Sequence, residues 1–354
     1  MSALETRACK TFGVKYPIVQ TGMGWVSGAR LTAATAAAGG LGILASATMT
    51  LDELADAIDK VRERTDQPFG VNLLPSQPDA MERIDLMVQR DVPVASFAAA
   101  PKADQVGVLS DAGISTIVTV GAPRHAEKVA AMGVTAVIAQ GGEGGGHTGT
   151  IPTALLVPGV VRAVADTGML VLAAGGMHSG QSLAGAIAWG ADGIAMGTRF
   201  LLTAESQVPD HVKSVYLESS LTATVVTKAI DGAPQRVIRT DLIDKLEGSM
   251  GASRLAKAAS NALAFARRSG SSPVDLLKTA KAMHDDQDLT WSQVALAANA
   301  PMMTKASIVD GDLAAGILPT GQVVGSIEDL PTVKDLLEGI MSGAQVQLDQ
   351  VCAN

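Results

Sequence analysis

Eight short apolar runs alternate with amphipathic or alanine-rich stretches over the first 200 residues, and this predicts an α/β fold, a (β/α)8 TIM barrel. Two further observations support it. Aromatics make up only 3% of the 354 residues while alanine, glycine, valine, leucine and isoleucine dominate, which suits helices packed on buried parallel strands. Polar or glycine residues also recur where successive runs end, at Gln20, Asn72, Ser96, Thr119, Gln140, Gly175 and Thr198. Barrel active sites assemble at that end of the strands. A doubly wound sheet is the alternative.

Taken in order, strands are expected over 17–20, 41–45, 69–74, 92–98, 115–120, 135–140, 170–176 and 193–198. Between the second and third, 51–65 has apolar residues at helical spacing, with Thr50 and Glu53 placed to form a capping box. After Arg199 the alternation stops. Residues 205–308 read as a mostly helical insertion after strand eight, with helices over 241–249, 253–270 and 273–286. A loop and closing helix then return the chain to the barrel. The expected division is a barrel of 1–204 plus 309–354, covered by an insertion of 205–308.

The formal charge of −8 argues against nucleic-acid binding, which relies on many Lys/Arg–phosphate contacts. Charge is uneven, however. Residues 228–282 hold ten basic and five acidic side chains, an excess of five positive charges that leaves −13 elsewhere. Such a segment is either a set of solvated helix faces or a rim for an anionic substrate such as a coenzyme A tail. The two cysteines, Cys9 and Cys352, form no metal spacing or disulfide framework, and the N-terminus MSALETRACK has no apolar core. Apolar runs are strand-length, too short to span a bilayer. A cytoplasmic protein without a membrane anchor is expected; its oligomeric state is open, a homodimer included.

The most informative stretch is 136–149, AVIAQGGEGGGHTG. It reads as a buried strand running into a glycine-dense loop with one carboxylate, Glu143, and one imidazole, His147. Glycines there let the backbone approach a bound group, and a histidine exchanges protons near neutral pH. His147 is the candidate base; Glu143 is either a backbone anchor or a substrate contact. Glycine clusters at 173–180 and 195–200 suit a phosphate, a recurrent feature after barrel strands seven and eight. In QTGMGWVSG (20–28), Met23 is placed to line a planar ring, and Trp25 is either core or a pocket wall. His125, His178, His211 and His284 have no partners at metal spacing, so no metal is expected. No GxGxxG, P-loop or nucleophile elbow occurs.

In order along the chain, PIVQTGMGW, FGVNL, AQGGEGGGHTG, AAGG and AMGTRFLLT resemble the nitronate monooxygenase/2-nitropropane dioxygenase family. The resemblance implies an FMN-binding barrel with substrate held between its mouth and the insertion. It places FMN against Gly22, Met23, Asn72, Thr119, Gln140, Gly145 and Met196, with the phosphate on Gly175, Gly176, Gly197 and Thr198. His147 falls on the family's base or substrate-polarising histidine. Trp25, Glu143, Arg236 and Arg239 are the expected substrate contacts. Gly144 departs from the pattern, since many members have alanine, and a more flexible loop is the expectation. The segments TVVTKAIDGAPQRVIRT, LTWSQVALAANAPMMTKASIVDG and GQVVGSIEDLP resemble one subgroup, the flavin-dependent acyl-CoA dehydrogenases of bacterial steroid C/D-ring breakdown. That implies α,β-dehydrogenation of an indane carboxyl-CoA thioester with NAD as electron acceptor. Two alternatives share the barrel motifs: a nitronate monooxygenase using oxygen, and an NAD(P)H-dependent enoyl-thioester or quinone reductase. A barrel that binds flavin without turnover is a third.

Overall fold

The computed structural model describes residues 3–248 and 299–353. The eight expected runs form parallel strands of a closed barrel: β1 (Ile18–Gln20), β2 (Leu41–Ala45), β3 (Phe69–Leu73), β4 (Val94–Phe97), β5 (Ser115–Val120), β6 (Ala136–Gln140), β8 (Leu170–Ala174) and β9 (Gly193–Met196). β1 closes the barrel by pairing with both β2 and β9. The doubly wound alternative is thereby excluded.

Strand side chains alternate between two cores, as a period of two requires. Val19, Leu41, Ile43, Val94, Ile117, Ile138, Leu170, Leu172 and Ala195 fill the barrel. Their neighbours Ile18, Leu44, Ala95, Val118, Val137, Val171 and Ile194 face the surrounding helices. The helix Arg7–Phe12 closes the bottom, with Ala8 and Phe12 joining the interior cluster. Arg7 pins it through a two-pronged ion pair, Nε and Nη2 each 2.8 Å from Asp192. In the helix Leu51–Arg62, Thr50 and Glu53 form the expected capping box at 3.2 and 2.8 Å.

Beyond β9 the described part of 205–308 contains the helices Asp210–Leu217, Asp241–Gly248 and Asn299–Ile308. The expected helices at 253–270 and 273–286 lie outside the described residues. One stretch departs from the helical expectation. β10 (Thr224–Thr227) and β11 (Gln235–Ile238) form an antiparallel hairpin, and β11 pairs with β7 (Gly146–His147), which rises from the glycine loop. Two β-branched runs, TVVT and QRVI, outweigh helix propensity there. The chain then returns along β11, Ile238 N donating to Leu318 O and Thr320 N to Arg236 O. A short 3-10 turn, Gln322–Ser326, leads to the closing helix Val333–Ala353. That helix packs on the helix Gly180–Ala188, where a Cβ on Gly180 would lie 2.7 Å from Gly343 Cα. Among the described residues no helix is long and apolar enough to cross a membrane.

Candidate active site

The alternation that fills the barrel also builds its mouth. Two residues beyond Val94, Ile117 and Ile138 on the same inward face come Ser96, Thr119 and Gln140, and Asn72 follows Gly70 in the same way. An apolar layer therefore ends in a polar one at the C-terminal ends of the strands. Asn72 Nδ2 donates to Ser96 O at 3.2 Å. A Cβ on Gly22 would lie 2.9 Å from Asn72 Cγ, so only glycine lets the first loop cross here.

The remaining cofactor candidates gather around this layer. Met23 and Gly197 are neighbours: a Cβ on Gly197 would lie 3.4 Å from Met23 Sδ. Thr198 Oγ1 accepts from Gly321 N at 2.8 Å, which ties the returning chain to the end of β9. Gly145 comes so close to Thr320 and Gly321 that a Cβ would reach within 2.5 Å of Gly321 N. Gly175 and Gly176 turn with φ of +92° and +77°. Two glycine turns and a hydroxyl at one end of the barrel form a donor set suited to a phosphate. Met196 differs: its side chain is buried in the helix-facing core, and only its carbonyl is at the mouth, accepting from Thr21 N at 3.1 Å.

His147 lies on β7, its side chain 66% exposed. Gln140 Nε2 donates to its carbonyl at 2.8 Å. Its Nε2 is 2.8 Å from Asp231 Oδ2. Asp231 is buried in the turn between β10 and β11, and its carboxylate also accepts from Ala233 N at 3.1 Å and from Gln235 Nε2. Neither Asp231 nor Gln235 was singled out in the sequence. The Asp-Gly pair at 231–232 hints at a turn, but the strands are joined by residues 228–234, a longer connection than the two-residue turn that such a pair marks.

The substrate candidates fall in three places. Trp25, with φ of +66°, lines a cleft of about 290 Å³ with Ser27, Gly28, Ala45, Thr48, Met49 and Glu53. Its Nε1 donates to Pro301 O at 3.0 Å, joining the barrel mouth to the insertion. Glu143 faces the helix Thr153–Ala163, its Oε2 accepting from Thr153 N at 2.9 Å and Thr153 Oγ1 at 2.6 Å. Arg236 holds Gly142 O through Nη2 at 2.9 Å and Thr224 Oγ1 through Nη1 at 2.8 Å, and burial lowers its pKa against the opposing pull of Glu143. Arg239 is exposed and paired with Asp244 at 2.8 Å. Both arginines thus serve local structure as well as any rim. Arg254, Lys257, Arg267, Arg268, Lys278 and Lys281 lie outside the described residues.

The family model for nitronate monooxygenase matches residues 5–85 and 80–343. The chain belongs to the nitronate monooxygenase family. It is a flavin-dependent oxidoreductase. A Mycobacterium tuberculosis protein named (3aS,4S,5R,7aS)-5-hydroxy-7a-methyl-1-oxo-octahydro-1H-indene-4-carboxyl-CoA dehydrogenase is 53% identical over 350 residues, 99% of each chain. A Rhodococcus jostii protein of the same name is 52% identical over 353 residues, covering 100% of this chain and 99% of its own. The solved structure of FabK from Thermotoga maritima superposes with a TM-score of 0.79 at 30% identity, covering 98% of both chains.

Proposed function

We propose that this member of the nitronate monooxygenase family is an FMN-dependent acyl-CoA dehydrogenase acting on a hydroxy-methyl-oxo-indane carboxyl-CoA, with NAD⁺ as the final electron acceptor. The observation that carries the reading is identity above half over 99% of the chain with the Mycobacterium tuberculosis dehydrogenase. Coverage of that extent includes the insertion, and the insertion supplies Asp231 beside His147.

The residues at the mouth fit the cofactor. Gly22, Met23, Asn72, Thr119, Gln140 and Gly145 would border the ring, and Gly175, Gly176, Gly197 and Thr198 would hold the phosphate. Bound FMN supplies a two-electron acceptor for the hydride that leaves the β-carbon. The chain's own part is proton handling. A thioester acidifies the C–H next to its carbonyl, and the His147 imidazole is the general base for that proton. Trp25 and its cleft would seat the apolar ring system, and basic residues of 228–282 would meet the CoA phosphates.

Stopped-flow flavin absorbance under anaerobic conditions tests the proposal. The saturated indane carboxyl-CoA should bleach the flavin, and NAD⁺ should restore its colour. Bleaching by a nitronate, reversed only by oxygen, would make the protein a monooxygenase instead. His147→Ala should keep its FMN yet reduce it with acyl-CoA about 10²–10⁴-fold more slowly, the usual contribution of a positioned base. Wild-type reduction rates in that variant would remove His147 from the mechanism.

A further inference from the structure

We infer that Asp231 is a positioning residue for His147, and that it makes Nδ1 of the imidazole the proton-accepting atom. The assignment deepens the proposed reading, and rests on it for the identity of the proton donor.

Three donors converge on the Asp231 carboxylate, whose side chain is only 5% exposed: His147 Nε2 at 2.8 Å, Ala233 N at 3.1 Å and Gln235 Nε2. An ionised carboxylate only accepts. If Nε2 carried no hydrogen, its lone pair would face Asp231 Oδ2 at 2.8 Å with nothing between them. The neutral ring is therefore the Nε2–H tautomer. Gln235 Nε2 also lies 3.2 Å from His147 Nε2, but its donation to Asp231 locks the carboxylate in place. Nδ1 keeps its lone pair. When it takes the α-proton, the C–H bond breaks, its electron pair stays on the substrate delocalised into the thioester carbonyl, and the imidazolium that results is stabilised by Asp231.

The backbone makes this arrangement hard to escape. Gln235 is the registered partner of His147 across β11 and β7, and Thr148 N donates to Pro234 O at 3.2 Å. The barrel supplies the base, and the insertion supplies the group that fixes its tautomer.

The test uses full-length, FMN-loaded protein labelled with ¹⁵N-histidine. The chain has five histidines, and His147→Gln identifies the signals of His147. In the wild type Nε2 should resonate as a protonated nitrogen and Nδ1 as an unprotonated one. Asp231→Asn must set an NH₂ against either Ala233 N–H or His147 Nε2–H, so a mixture of tautomers should appear. In that variant kcat for flavin reduction should fall about 10–100-fold with KM little changed, less than the ~10⁴ of a buried triad because this imidazole is solvent-exposed. An unprotonated Nε2 in the wild type overturns the assignment without any variant, as does Asp231→Asn with unaltered tautomer and rate. If the tautomer shifts while acyl-CoA leaves wild-type flavin unbleached, positioning by Asp231 stands and the acyl-CoA reading falls. Bleaching with an unaltered tautomer gives the reverse.

Discussion

Gly144 shows how one missing methyl group shapes the site. A Cβ there would lie 2.7 Å from Gln140 Nε2 and 2.9 Å from its Cγ. That amide is the one that donates to His147 O. Glycine at 144 therefore leaves Gln140 free to hold the segment that carries the proposed base, His147. Gly144→Ala should swing Gln140 aside and slow flavin reduction about 3–10-fold, the kinetic equivalent of one net hydrogen bond. An unchanged rate would show that Gln140 is not needed to seat His147. The two thiols offer a second residue-level check. Cys9 is buried and desolvation pushes its pKa up, whereas Cys352 is exposed near the end of the closing helix. Less thiolate and less access both protect Cys9. A maleimide at pH 8 should label one thiol rapidly in the native protein and two after unfolding; rapid double labelling of the native state would contradict the packing of the N-terminal helix.

Among the elements, the antiparallel sheet of β7, β11 and β10 governs how the loop and the insertion meet. At Gly145 the loop also meets the returning segment, where a side chain would press on the backbone of Thr320 and Gly321 rather than on a yielding side chain. Gly145→Ala should cost about 1–3 kcal/mol by forced separation of these segments. Calorimetry should show a lowered Tm together with weaker FMN binding, and loss of one without the other would detach this contact from the cradle. The eight barrel strands were legible because each combines an apolar face with a period of two and a glycine or polar end. The mouth was legible for the same reason: Ser96, Thr119 and Gln140 stand two residues past an inward Val or Ile. β10 and β11 were not. Each is only four residues long, β10 is partly exposed, and both sit in a segment whose flanks have helical spacing. Asp231 became visible only when that hairpin folded back on His147, since no periodicity reports a contact between residues 84 apart. For Met196 the motif position did not reveal that its side chain faces the helices while its carbonyl faces the mouth.

Across the described residues, the Arg7–Asp192 contacts and the proposed site occupy opposite ends of the barrel. Asp192 accepts from Arg7 and from Val171 N at 2.9 Å at the bottom, and Thr6 Oγ1 donates to its carbonyl at 2.5 Å. Arg7→Ala should lower stability by about 1 kcal/mol, since Arg7 is mostly exposed, and leave FMN affinity and flavin reduction unaltered. Impaired reduction in that variant would mean that strain at the bottom reaches the mouth. The closing helix Val333–Ala353 sits on the flank of this framework, while the returning segment 317–321 threads between barrel and hairpin. The pairing of β7 with β11 also bears on how such enzymes diverge and how they can be recombined. The glycine loop and the hairpin make one working cassette written in two distant stretches of gene. If Asp231 positions His147 as proposed, a chimera that imports a relative's 141–149 without its 224–238 should inherit an unguided imidazole.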